Sequence, residues 1–152
     1  MNQENRPGGL TALAVINFVF AGLGILSLFF MIALFALIGV LPTEQMNEAD
    51  RAQLEAFKNL GLPMFIFIFV LSIISSVLLL LSGIGYIKQK KFLGWGLGNL
   101  YAIITIVSNI ITALLFPPKL GGGFQFGIII GLIYPVVTLI LLNTTFKEDL
   151  TN

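Results

Sequence analysis

The chain has 152 residues, of which 57% are hydrophobic and 10% are charged, and its formal net charge is +1. A soluble domain carries about 25% charged residues, so this composition excludes an ordinary water-soluble protein and indicates one that folds in a membrane. The chain has no cysteine and no histidine, which excludes disulfides, thiolate catalysis and the commonest ligands of zinc and haem.

Four apolar runs without Asp, Glu, Lys or Arg predict four transmembrane helices. A helix needs about 20 apolar residues to cross a hydrocarbon layer of about 30 Å. Spanning strands are disfavoured because polar and apolar residues do not alternate in these runs. The predicted helices cover residues 10–41, 62–87, 92–116 and 124–142, in a single membrane domain of residues 1–152. The expected fold is all-α, a transmembrane four-helix bundle.

The first run is longer than a bilayer requires, so its outer end, near Val40, is expected to project beyond the hydrocarbon. It is too long for the apolar part of a cleaved signal peptide. The triplet Ala12-Leu13-Ala14 also comes too early in the run to be a cleavage site. The first run is therefore predicted to be a retained helix.

Residues 42–61 form the one sizeable polar connection, and they predict a short amphipathic helix between helices one and two. Gly61 and Pro63 are helix stop signals at its end. Opposite charges lie at helical spacing at Arg51 and Glu55. Three apolar residues share one helical face: Leu54, Phe57 and Leu60. We expect this helix to lie on the extracytoplasmic membrane face as a cap, with a dedicated binding element as the alternative.

The segment 88–91, Lys-Gln-Lys-Lys, indicates the orientation, because short cytoplasmic loops are rich in Lys and Arg. Placing it in the cytoplasm also places Arg6 and Lys147 there. Five basic residues are then inside and three outside, out of eight in the chain. The three outside are Arg51, Lys58 and Lys119. We therefore expect both termini to be cytoplasmic.

Small residues spaced four apart predict sites of close helix packing. In lipid no hydrophobic force drives helices together, so close backbone approach supplies much of the association energy. The candidate packing positions are Ser72, Ser76, Gly94, Gly98, Gly123, Gly127, Gly131 and Pro135. Pro135 frees the carbonyl of Gly131, which we expect to meet a donor from helix three. Contact with an oligomeric partner is the alternative use of these positions.

Polar residues on the third predicted helix follow the 3–4 spacing of a single face. They are Tyr101, Thr105, Ser108, Asn109 and Thr112. We expect helices three and four to pack antiparallel, with Thr105 or Asn109 facing the kinked stretch of helix four. A permeation path is the alternative role of this face. Two further amides, Asn17 and Asn99, complete the polar set and are expected to pair across helices one and three.

Several pieces of the chain resemble small bacterial four-helix integral membrane proteins, families that are mostly uncharacterised. They are Arg6-Pro7-Gly8-Gly9 before a helix with Asn17, Gly83-Ile84-Gly85-Tyr86, Lys90-Lys91 and Gly94-Trp95. The resemblance implies a bacterial inner membrane and no particular activity. Small multidrug exporters are similar in size only, because nothing in this chain matches their intramembrane glutamate.

The sequence favours a non-enzymatic membrane protein, because no nucleophile and base, metal site or thiol pair is visible. The leading hypothesis is an accessory, assembly or structural subunit that packs with itself or with a larger membrane partner. The alternative is a small channel or facilitator for a neutral or lipidic solute, lined by the polar face of helix three. Membrane lipid is the expected surrounding, and no cofactor, metal or nucleic acid is expected to bind.

Overall fold

The computed structural model describes residues 7–37, 46–115 and 126–150. Most of these residues are helical, and no strand is among their elements. The elements in chain order are α1 (Gly8–Leu37), α2 (Glu48–Ile87), a π-helical turn (Phe92–Gly96), α3 (Leu97–Leu115) and α4 (Phe126–Thr144). The predicted all-α class is confirmed. The expected projection near Val40 lies outside the described residues.

Three stretches are long and apolar enough to cross a membrane: Gly8–Ala33, Phe65–Ile87 and Phe92–Leu114. The shorter stretch Gly131–Thr144 of α4 is also apolar. The outward faces of the helices carry large apolar side chains, as the 66%, 70% and 77% exposure of Phe29, Phe30 and Leu114 illustrates. Such a surface suits lipid rather than water, which supports the prediction of a membrane protein.

α2 is one continuous helix of 40 residues, so the prediction of a separate short helix over residues 42–61 is wrong. The helix begins after Asn47, whose side chain accepts a hydrogen bond from the backbone N–H of Asp50 at 2.8 Å. It then continues through Gly61 and Pro63. A proline inside a helix removes one backbone hydrogen bond. That loss is tolerable here because Pro63 precedes the apolar span of α2, which begins at Phe65. Before that span, the freed backbone carbonyl can bond to water.

A tight turn at residues 88–91 joins α2 to the π-helical turn. Gln89 has a φ of 50°, in the left-handed region, and the N–H of Lys90 donates to the carbonyl of Gly85 at 3.0 Å. A Cβ added to Gly85 would lie 2.2 Å from the backbone nitrogen of Gly94. The two backbones therefore touch with no side chain between them.

The remaining helix limits differ little from the predicted ones. α1 begins at Gly8 rather than at residue 10 and is described to Leu37, and α4 ends at Thr144 rather than at residue 142. Helix three was expected to be α-helical from residue 92, but its first turn is a π-helix. The π-helical turn brings the backbone of Gly94, one of the predicted packing positions, against α2. The π-helical form of this turn was not predicted.

The end of the molecule that holds the 88–91 turn is tightly packed. One buried cluster joins α1, α2, α4 and the segment after α4; its members are Leu10, Leu13, Ala14, Tyr86, Leu142, Phe146 and Leu150. A second cluster lies nearer the middle and adds α3; its members are Ala21, Leu78, Leu79, Tyr101 and Ala102. All four helices therefore meet in this half.

α3 and α4 run antiparallel, as predicted. Trp95, before α3, donates to the side chain of Asn143 at the end of α4. Farther along α3, Asn109 faces Gly131 near the start of α4. α1 packs beside α2, and α2 also packs against α3. α4 also contacts α1 through the side chain of Tyr134.

Candidate functional site

The five polar residues of the α3 face line one cavity of about 450 Å³. They are Tyr101, Thr105, Ser108, Asn109 and Thr112. Residues of α1, α2 and α4 complete its wall. On the other side of α3, Ile103, Val107 and Ile110 are exposed. The polar face is therefore turned towards a partly open cavity between the helices.

The cavity occupies the half of the molecule away from the 88–91 turn. Its α2 residues lie between Phe67 and Leu79, whereas Tyr86 of the same helix belongs to the packed end. Likewise Gly131 of α4 lines the cavity, and Leu142 is buried in the packed end. The molecule thus has one closed half and one half that contains space.

Small residues account for the unfilled space. Gly24 of α1 packs on Ser76 of α2, where an added Cβ would lie 2.6 Å from the serine Oγ. Ser72 and Ser75 continue this small surface along α2, and the hydroxyl of Ser72 donates to the carbonyl of Ile68 at 2.9 Å. The backbones of α1 and α2 approach closely here, and these small side chains leave space in front of α3.

The wall of the cavity is uncharged, because none of the described residues that line it is Asp, Glu, Lys or Arg. Hydroxyls and one amide supply its polar groups, and apolar side chains supply the rest. A charged solute in such a low-dielectric site would need a counter-charge, so the cavity suits an uncharged molecule. Its volume falls within the range of about 300–1,000 Å³ that is usual for small-molecule sites. In the described part of the chain, no group of three or more acidic residues could hold a metal ion.

Asn109 has its amide fixed by its own helix. Its Nδ2 donates to the backbone carbonyl of Thr105 at 2.8 Å, and its Oδ1 would lie 3.4 Å from a Cβ on Gly131. Asn109 therefore faces the stretch of α4 before Pro135, as predicted. Its Nδ2 makes no hydrogen bond to the Gly131 carbonyl in the described structure, so the prediction that helix three supplies a donor there is not confirmed for this residue. The Thr105 hydroxyl makes no hydrogen bond to a described residue either.

Tyr134 closes the cavity on the side of the packed end. Its ring meets the Phe20 ring edge-on, with centroids 4.8 Å apart, and lies 6.4 Å from the Tyr101 ring. Its hydroxyl donates to Oδ1 of Asn17, which is completely buried. Tyr134 therefore separates the cavity from the polar groups beyond it. The sequence analysis did not single out Tyr134, although Thr138, four residues later on the same predicted helix, was a usable signal of a polar face.

Asn17 pairs with Ser82 and Tyr134, so the predicted pairing of Asn17 with Asn99 is wrong. The Nδ2 of Asn17 donates to the hydroxyl of Ser82 at 2.7 Å, and Ser82 donates onward to the carbonyl of Leu79 at 3.2 Å. Counting residues along each helix gives Asn17 and Asn99 a similar depth in the membrane. It does not give the direction in which each side chain points from its helix axis. Asn17 thereby connects α1 with α2 and α4.

Asn99 belongs to a different polar contact, between α3 and α4 at the packed end. The Nδ2 of Asn143 donates to its Oδ1 at 2.7 Å, and the Trp95 Nε1 donates to Oδ1 of Asn143 at 3.1 Å. Asn99 itself donates to the Trp95 carbonyl at 2.9 Å. Asn143 was not predicted because it directly follows the fourth apolar run. A single amide at the end of that run was the only sequence signal.

Gly94 and Gly98 lie against α2. A Cβ on Gly98 would lie 2.2 Å from the hydroxyl oxygen of Tyr86, and one on Gly94 would lie 3.3 Å from the backbone carbon of Gly85. The glycine partner Gly85 was missed, although a glycine two residues after Gly83 and just before the lysine turn was a usable signal.

The predicted small-residue ladder on helix four is described only in part. Gly131 lines the cavity, and Pro135 is fully buried within α4. Gly127 is described only as part of α4, and Gly123 lies outside the described residues. A continuous packing face along these positions therefore stays a prediction.

Comparison of the chain with models of protein families, with curated proteins and with solved structures found no match. The functional argument therefore depends on the cavity and on the polar contacts around it. The resemblance to small bacterial membrane proteins stays an expectation from the sequence.

Proposed function

We propose that this chain is a non-enzymatic integral membrane protein that takes up a small uncharged solute between its helices. The cavity of about 450 Å³, lined by all five polar residues of α3, carries this proposal. A polar face that served only to bind helices together would be covered by its neighbours. The cavity therefore favours the channel or facilitator hypothesis over a purely structural subunit.

The proposal includes a four-helix transmembrane bundle with α4 as the fourth span and both termini in the cytoplasm of a bacterial cell. α4 has 19 residues, none of them charged, and it runs antiparallel to α3. The lysines of the 88–91 turn favour the cytoplasm for the packed end. The cavity then lies in the outer half of the membrane, and the charged start of α2 stands on the extracytoplasmic side.

The wall of the cavity suits an amphipathic solute. The large apolar side chains of the described wall include Phe20, Phe67 and Leu71 of α1 and α2, beside four serines of these helices, whereas α3 presents hydroxyls and the amide of Asn109. The apolar body of the solute would lie against these apolar side chains and its polar group against α3. Passage beyond mid-membrane would require the Tyr134 ring to move, because this ring closes the inner side of the cavity.

Photolabelling tests this proposal. The purified chain in nanodiscs of phosphatidylcholine is irradiated with an uncharged alkyl alcohol that carries a diazirine, and the labelled residues are mapped by mass spectrometry. We expect label on cavity residues such as Phe20, Leu79 and Tyr101. The substitution Gly131→Leu should remove most of this label, because its side chain would occupy the cavity.

The matched control is Gly22→Leu, which adds the same side chain where no other atom lies within 4 Å of a Cβ. This variant should keep the label of the unmodified chain. Label spread evenly over outward-facing residues, and unchanged by Gly131→Leu, would overturn the proposal.

The accessory-subunit hypothesis is the second candidate. The exposed Gly22 favours it, since a notch on the outward face of α1 would allow the backbone of another helix to approach closely. Gentle extraction from the native membrane, followed by co-purification and sizing, separates the two. A stoichiometric unlike partner that blocks photolabelling of the cavity would favour the accessory subunit.

A further inference from the structure

Asn109 leaves one strong hydrogen-bond acceptor unused beside the cavity. Its Nδ2 is bonded to the carbonyl of Thr105, which fixes the direction of the amide plane and turns Oδ1 towards Gly131 of α4. No described side chain donates to this oxygen. In a low-dielectric surrounding, an unpaired amide oxygen is costly unless a donor arrives.

The other polar side chains of the described wall are hydroxyls, which can both donate and accept a hydrogen bond. The Tyr134 hydroxyl donates to Asn17, and the Ser72 hydroxyl donates to its own helix. The Thr105 hydroxyl is buried beyond the reach of water. Asn109 is also the only amide in the described wall, so its oxygen is the one side-chain group there that accepts and cannot donate, and it selects for a ligand that donates.

We infer that the solute is an uncharged alcohol whose hydroxyl group donates a hydrogen bond to Oδ1 of Asn109. The inference rests on the proposed function and names the chemical class of its ligand. The alcohol group would lie against α3, and the apolar body would extend towards the rings of Phe20 and Tyr134, where flat apolar groups pack well.

This arrangement distinguishes an alcohol from an ether, because only the alcohol has a hydroxyl proton to donate. An ether of nearly the same shape has no donor, so it leaves the Asn109 oxygen unpaired when it displaces water from the site. Sites built around a hydrogen bond reject analogues that lack the bonding group. A neutral hydrogen bond corresponds to about a fivefold to tenfold difference in affinity.

The test compares naphthol with its methyl ether, methoxynaphthalene, on the full chain in phosphatidylcholine nanodiscs. Binding is measured by titration calorimetry, and partition into empty nanodiscs is subtracted. We expect naphthol to bind about fivefold to tenfold more tightly than the ether. In Asn109→Leu the two probes should bind equally, because the acceptor is gone and an apolar side chain of similar size replaces it. Val107→Leu, on the outward face of α3, should keep the preference of the unmodified chain.

The outcomes separate the two proposals. Equal binding of alcohol and ether by the unmodified chain would overturn the role of Asn109, while cavity binding itself would stand. A preference that survives in Asn109→Leu would assign the acceptor to another group and would also overturn the inference. Binding of neither probe above empty nanodiscs would overturn both this inference and the proposed function. The comparison of the two probes on the unmodified chain needs no variant to fold.

Discussion

Gly85 lies where the backbone of α2 touches the π-helical turn. A Cβ at this position would meet the backbone nitrogen of Gly94 at 2.2 Å and the backbone carbon of Leu93 at 2.3 Å. Backbone atoms cannot swing aside as the end of a side chain can. The close approach of these two segments therefore depends on a hydrogen atom as the side chain of residue 85.

We expect Gly85→Ala to destabilise the protein by about 1–3 kcal/mol, the usual cost of forcing extra atoms into a packed interior. The methyl group would push α2 away from the π-helical turn and loosen the packed end. Thermal unfolding in detergent micelles, followed by circular dichroism, measures the effect.

Gly22→Ala is the control for this prediction, because nothing lies within 4 Å of a Cβ there. Alanine favours helix over glycine by about 1 kcal/mol, so this variant should be unchanged or slightly more stable. Equal melting temperatures for the two alanine variants would contradict the contact between the backbones.

At the scale of the elements, Asn17 holds three helices together. It accepts from Tyr134 of α4 and donates to Ser82 of α2, while it is itself completely buried in α1. A buried amide that loses one of these partners has no water to replace it. The direction of packing among α1, α2 and α4 is therefore specified by a single side chain.

Tyr134→Phe tests this contact, because it removes the hydroxyl and keeps the ring. Hydrogen bonds between membrane helices contribute about 0.6 kcal/mol on average and about 1.7 kcal/mol at most, and we expect a loss in that range. In a double-mutant cycle with Asn17→Leu, the double variant should lose less than the sum of the two single losses. A cycle of Tyr134→Phe with Asn143→Leu should be additive, since Asn143 belongs to another contact. Additivity in both cycles would contradict the role of Asn17.

The elements differ in how far the sequence predicts them. Runs of apolar residues without charge locate α1, α3 and α4 well, because a bilayer requires a minimum apolar length. The stop signals Gly61 and Pro63 were misleading for α2. They describe local preferences, and a helix that already has an N-cap at Asn47 and an apolar span beyond can continue through them.

At the scale of the whole molecule, the α3 face was predictable but the cavity in front of it was not. The spacing of Tyr101, Thr105 and Asn109 shows that they share a side of one helix. Whether that side is filled depends on what three other helices bring to the same depth. Here Gly24 and Gly131 bring no side chain, and only the assembled helices reveal the resulting space.

One end of the molecule is packed and the other contains the cavity. The orientation in the membrane therefore decides which side the cavity faces. With the 88–91 turn in the cytoplasm, the cavity faces the outer half of the membrane, and a solute would enter from outside or from the outer leaflet. The reverse orientation would offer the same cavity to the cytoplasm. The proposed side of solute entry therefore depends on the lysines of one short turn.

Reporter fusions in a bacterial host test the orientation. A fusion after Asn152 should report a cytoplasmic location, and an insertion at Lys119 should report an external one. Replacing Lys88, Lys90 and Lys91 by Gln leaves two of the five inner basic residues against three outer ones, so the bias disappears. This variant should give a mixed or inverted population, whereas the same replacement at Arg51 and Lys58 should leave the orientation unchanged. An external Asn152 in the unmodified chain would invert the proposed topology and would turn the cavity to the cytoplasm.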